Sequence, residues 1–160
     1  MDKSRHTRRD RLVREKRHDT YKQREKWREP TACIKCGSLF QDGRWSWSKP
    51  TKHADKVVCP ACQRIADNYP AGHIEIRGTF FKGHSQELLN LIRSEEKLEM
   101  GQHPMERIIS IIHENDRTVV TTTGVHIARR IGEALSRAYQ GNFSFQYGDE
   151  EKSVRVYWSR

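Results

Sequence analysis

The sequence contains no apolar run approaching the roughly 18 residues of a membrane span, and its charged N-terminus holds no apolar signal segment. From these absences we expect a cytoplasmic protein with no membrane partner. Apolar side chains are also scarce: hydrophobic residues make up 34% and aromatic residues 9%, against 32% charged residues in a chain of 160. Any core must be modest, and part of the chain is expected to stay solvated. Acidic residues are outnumbered, 21 to 30, and the resulting net charge of +9 makes an anionic polymer the leading class of partner. Catalytic signatures are missing as well. There is no Gly-x-Ser-x-Gly, no phosphate loop and no His-Glu-x-x-His, and the eight histidines are scattered. We therefore expect neither an enzyme nor a small-molecule substrate. The minor alternative is an RNA hydrolase that gathers scattered His and Glu residues around a second metal.

Cysteine is rare but placed in a pattern. Cys33-Ile-Lys-Cys36 and Cys59-Pro-Ala-Cys62 form two C-x-x-C pairs separated by 22 residues, slightly more than the usual 15 to 20 or so of a two-knuckle template. In a reducing compartment paired cysteines at this spacing point to metal rather than to disulfides. Four thiolates complete a tetrahedral shell, so Cys33, Cys36, Cys59 and Cys62 are expected to hold one structural Zn2+ with no position open for a water. The alternatives are a redox dithiol or four idle thiols, and His53, between the pairs, is the one competing ligand.

Positive charge is concentrated as well. Residues 1–30 hold twelve Lys and Arg against six Asp and Glu, two-thirds of the net charge, with few apolar side chains. We read them as a basic, disordered arm in which Arg5, Arg8, Arg9, Arg11, Arg14, Lys16 and Arg17 neutralise phosphates. The other reading is a solvated tail that binds nothing specific. Residues 31–70 read as a four-cysteine zinc ribbon, a small hairpin module with turn residues Gly37, Asp42-Gly43 and Pro60. Within it Arg44, Trp45, Trp47 and Arg64 are candidate nucleic-acid contacts, the tryptophans stacking on unpaired bases or else forming the miniature core of the zinc site.

Residues 71–160 read as an α+β domain. Ile74, Ile76 and Phe80 alternate with His73, Glu75 and Thr79 as in a strand with one buried face, and residues 85–99 place Leu88, Leu89, Ile92 and Leu98 at helical spacing. Two strands follow, at Ile108 to Ile112 and Arg117 to Thr123, although the first is compatible with a helix. A second helix carries Ile127, Ile131, Leu135 and Ala138 on one stripe, and alternating runs at Phe143 to Tyr147 and Val154 to Trp158 make a closing hairpin. The order βαββαββ implies a sheet with both helices on one face. His126, Arg129 and Arg130 on the second helix are further candidate phosphate contacts, with ordinary solvated helix surface as the alternative. Gly132 is expected to mark close packing against the sheet.

The stretches Cys59-Pro-Ala-Cys-Gln-Arg-Ile-Ala-Asp-Asn-Tyr-Pro-Ala-Gly72 and Thr121-Thr-Thr-Gly-Val-His-Ile-Ala-Arg-Arg-Ile-Gly-Glu-Ala-Leu135 resemble small bacterial proteins labelled nonsense-mediated-decay-type and affecting ribosome stability. Gly43-Arg-Trp-Ser-Trp47 and the closing Arg155-Val-Tyr-Trp-Ser-Arg160 look similar too. The layout is more distantly similar to the amino-terminal part of the eukaryotic and archaeal export adaptor of the large ribosomal subunit. That family is expected to carry eight cysteines where this chain has four, and it has later domains this chain lacks. The resemblance implies binding to the ribosome or ribosomal RNA. Composition alone leaves DNA as the alternative partner, because phosphate contacts do not distinguish the two nucleic acids.

Overall fold

The computed structural model describes Asp19, Tyr21 and residues 26–50, 52–149 and 152–160. The arm residues Arg5, Arg8, Arg9, Arg11, Arg14, Lys16 and Arg17 lie outside the described residues. The architecture is α+β, with two mixed sheets. Four short strands, β1 (Thr31–Cys33), β2 (Leu39–Gln41), β3 (Arg44–Ser46) and β4 (Asp55–Val57), form a sheet ordered β3-β2-β1-β4. Helix α1 (Pro60–Asp67) follows directly. Residues 31–70, read as a small hairpin module, thus also contain a helix. Pro60 is not a turn residue but the first helical position, where its fixed φ and missing N–H cost nothing, and Cys59 is the N-cap.

The second sheet contains β5 (Gly72–Arg77), β6 (Ile108–His113), β7 (Arg117–Thr122), β8 (Asn142–Tyr147) and β9 (Val154–Ser159), ordered β6-β7-β5-β9-β8. Helices α2 (Thr79–Gln102) and α3 (Val125–Tyr139) follow β5 and β7. Register puts Ile74 opposite Val120 and Val156, and Ile76 opposite Trp158, so these side chains share one face. That face forms the core with Phe81, Leu88 and Ile92 of α2 and Ile127, Ile131 and Leu135 of α3. The opposite face carries His73, Glu75, Arg155 and Tyr157.

Two features of the helices depart from the pattern in the sequence. Helix α2 starts at Thr79, not near residue 85, with non-helical backbone at His84, so the expected strand ends at Arg77 and Phe80, read as part of it, is helical. Its inward face ends in the carboxylates of Glu95 and Glu99, both buried, while Leu98 is 59% exposed. On α3 the stripe runs through Ala128, Gly132 and Ala134, and Ala138 is exposed. A Cβ on Gly132 would fall 2.5 Å from Phe143 and 2.6 Å from Val156, so the helix lies against the sheet as closely as the glycine allows. Strand β5 turns into α2 through Gly78 at φ 111°, a conformation that side chains rarely tolerate.

Candidate metal centre

The first cysteine pair lies on the turn between β1 and β2. Cys33 ends β1, its N–H donates to the Ser38 carbonyl (2.8 Å), and the Gly37 N–H returns to the Cys33 carbonyl (3.0 Å). Gly37, at φ 79°, supplies the left-handed residue this turn requires. The second pair is the first turn of α1: the Cys59 sulfur accepts from the Cys62 N–H (3.4 Å), and both sulfurs sit at the positive end of the helix, which favours thiolate. The parallel pairing of β1 with β4 sets the two turns face to face.

The four sulfurs lie within 4.8 Å of one another. Cys33 to Cys62 and Cys36 to Cys59 are each 3.8 Å apart. Tetrahedral zinc with Zn–S bonds of about 2.3 Å requires sulfurs about 3.8 Å apart, so the four could hold one such ion. The surroundings suit thiolates. The Cys33 sulfur accepts from the N–H groups of Cys59 (3.3 Å) and Lys35 (3.4 Å), and Ser38 Oγ lies 3.0 Å from the Cys36 sulfur. Burial pushes the Cys33 thiol up, but these backbone donors outweigh it and hold it at about 6. Burial pushes the Cys59 and Cys62 thiols up, Cys59 further raised by the neighbouring cysteine charges. The thiols thus oppose one another's ionisation, and a bound dication would relieve that opposition.

One cation reaches the cluster from the other sheet. A terminal nitrogen of Arg107, just before β6, lies 3.3 Å from the sulfurs of Cys59 and Cys62 and 3.7 Å from that of Cys36, covering one face of the sulfur tetrahedron. Its backbone is fixed by Thr123, whose hydroxyl accepts from the Arg107 N–H at 2.8 Å. Four thiolates around a dication carry two net negative charges, and Arg107 offsets one of them. The sequence analysis missed this residue. No spacing rule links it to the cysteines, and only the fold brings it there.

The expected nucleic-acid contacts divide. Arg44 is exposed on β3 and His126 is exposed in the first turn of α3. Trp45 is half-buried, its ring centroid 5.5 Å from Phe40 and 5.8 Å from Trp27, so it belongs to the module's small core, and Trp27 packs there despite lying within the predicted arm. Trp47 is partly exposed, and its indole N–H donates to the Met100 carbonyl of α2 (2.7 Å), tying the module to the second sheet's layer. Arg64 is 5% exposed. Its guanidinium pairs with Asp19 (2.9 Å), donates to the Tyr69 carbonyl (3.1 Å) and lies 4.5 Å over the Tyr21 ring, which leaves it turned inward rather than toward a phosphate. Arg130 bridges to Glu95 (2.8 Å) and Glu99 (2.9 Å), and Arg129 donates to Tyr147 Oη (2.9 Å) and pairs with Glu133 (3.0 Å) while covering Phe145. His53 is exposed and outside the cysteine cluster. No described helix is long and apolar enough to cross a membrane. Compared with protein-family models, with curated proteins and with solved structures, the chain matches none.

Proposed function

We propose that the chain is a cytoplasmic, zinc-containing, non-catalytic RNA-binding protein that associates with the ribosome or ribosomal RNA. The observation that carries this reading is the distribution of unspent charge on the cysteine module. Lys35 in the first turn, Arg44 on β3, Lys49, Lys52 and Lys56 on β4 are all exposed, and the ion pairs among the described residues use only one cation of this module, Arg64. Cations held on a small rigid scaffold neutralise phosphates and release counterions, which is the sequence-independent part of nucleic-acid binding. The arginines of residues 1–30 extend the same charge. Since Arg129 and Arg130 are spent within the fold, the phosphate contacts are assigned to the module and the arm rather than to α3.

Zinc enters as the staple of that scaffold. The module's buried apolar side chains are few, Leu39, Phe40, Ala54 and Ala61 besides Cys33, Cys59 and Cys62, a core small enough to need a cross-link. A shell of four sulfurs leaves no site for an activated water, which speaks against metal hydrolysis. The resemblance to bacterial nonsense-mediated-decay-type proteins favours the ribosome as the source of the RNA, with DNA as the alternative. Sedimentation of tagged protein from a bacterial lysate through a sucrose gradient tests the reading, beside a Cys33→Ser, Cys36→Ser variant. Co-migration with a ribosomal subunit, lost in the variant, is expected. Protein remaining at the top of the gradient without RNA overturns ribosome association, and efficient displacement of bound RNA by duplex DNA would favour the alternative.

A further inference from the structure

Between the cysteine module and the second sheet's layer lies a cleft of about 570 Å³. Ligands favour clefts between packed units, where apolar walls meet a few fixed polar groups. Its lining includes the aromatic side chains of Trp27, Phe40 and Trp45 together with Glu106 and with Gly124, the N-cap of α3. The Glu106 carboxylate lies so close over Gly124 that a Cβ there would fall 1.9 Å from its Oε2. Oε2 accepts from the Ile127 N–H at 3.1 Å. Among the described residues Oε1 has no hydrogen-bond partner. The cleft therefore offers one fixed, unspent acceptor in a lining that also holds three aromatic side chains.

That arrangement constrains the ligand. Because a carboxylate already occupies the N-terminal turn of α3, this helix end cannot receive a phosphate. The ligand must bring N–H donors to Glu106 and carry its negative charge elsewhere. Lys26 and Lys152 line the same cleft, are exposed, and form no ion pair among the described residues. A flat ring with donors on its edge and a phosphate a few ångströms away is a nucleotide. Guanine alone among the RNA bases presents two adjacent donors, N1–H and the N2 amino group, on its Watson–Crick edge, the geometry a carboxylate accepts.

We infer that the cleft receives one unstacked guanosine of a bound RNA, with the base against the aromatic side chains, its Watson–Crick edge on Glu106 and its phosphate between Lys26 and Lys152. This rests on the RNA-binding reading and adds to it a base preference, which phosphate contacts cannot supply. Burial pushes the Glu106 carboxyl above its ordinary range, the charge of Glu99 adding to this while the Ile127 N–H and the charges of His126 and Lys152 oppose it, and two N–H donors would favour its ionised form.

The test uses the full chain loaded with zinc and fluorescein-labelled RNA hexamers: all uridine, and uridine with one central guanosine or one central adenosine. Fluorescence anisotropy should show the guanosine hexamer binding roughly tenfold tighter than the other two. Glu106→Gln, checked for folding by circular dichroism, should bring the guanosine hexamer down to the level of the adenosine one. Equal affinity for the three hexamers, or a preference that survives Glu106→Gln, overturns the inference while leaving RNA binding intact. If neither a hexamer nor a ribosomal RNA fragment binds, the RNA reading falls with it.

Discussion

At the level of single residues, Arg107 is the cation that reaches the sulfurs, and its role separates cleanly from folding of the cysteine turns. Arg107→Ala should weaken zinc binding about tenfold or more, read by competition with a chromogenic chelator, and Arg107→Lys should restore part of the loss because a single ammonium can still face the sulfurs. An unchanged affinity in both variants would mean that the guanidinium contributes nothing to metal retention. Glu106 allows a second test. Burial raises its carboxyl above the ordinary 4.5, so the folded chain holds that proton more tightly than the unfolded one. The side chain therefore favours folding below the ordinary carboxylate range and opposes it as pH rises through the raised folded value. Relative to the parent, Glu106→Gln should gain in melting temperature as pH rises above the ordinary carboxylate range, and a difference that does not change with pH would refute the shift. The four cysteines were legible because ligand pairs are short-range and spaced by the turn that presents them. Arg107 and Glu106 were not: each acts on groups distant in sequence, and neither sits in a local pattern that names its role. Trp45 and Trp47 lay between these cases, visible as an aromatic pair but with their partners Phe40, Trp27 and the Met100 carbonyl hidden until the chain is folded.

Among the elements, α2 and α3 meet through a polar seam as well as an apolar one. Glu95 and Glu99, with side chains 12% and 10% exposed, receive Arg130, which is itself 44% exposed. Arg130→Ala leaves two carboxylates without a partner and should cost about 1–2 kcal/mol in denaturant unfolding, a figure kept low by the exposure of the arginine. Combining it with Glu95→Gln and Glu99→Gln should recover most of the loss, and a strictly additive set of variants would show that the pairs contribute nothing. The seam also explains what periodicity could and could not reveal. The strands with one buried face showed their period of two, and the stripe of α3 was plain in Ile127, Ile131 and Leu135. The end of α2 was misread because its inward positions are glutamates whose burial depends on an arginine of another helix, so Leu98 was assigned inward when it faces solvent. The start of α1 was misread for a different reason, since a proline serves equally well in a turn and at the first position of a helix.

Across the whole molecule, the class, α+β with a four-cysteine centre, followed from composition and pattern, but the contact between the two halves did not, because it is made by isolated side chains such as Trp47 and Arg107. The halves differ in what supports them: the second sheet has a continuous apolar core, and the cysteine module has a handful of buried residues around four sulfurs. Removing zinc with a strong chelator should therefore melt the module and leave the second sheet standing. Hydrogen exchange should show the Cys33 and Cys62 amides losing protection while those of Ile74 and Val120 keep it, and a module still protected without metal would remove the ion from its structural role. The pairing of β5 with β9 has a further consequence for how the chain is made. Its central strand, Gly72–Arg77, lies parallel to Val154–Ser159, so the second sheet stays incomplete on the ribosome until Val154–Ser159 have been translated. The cysteine module is whole long before that, and its local contacts close quickly. During synthesis the nascent chain thus presents the four-cysteine module first, and Arg107 arrives as the second half begins to fold onto it.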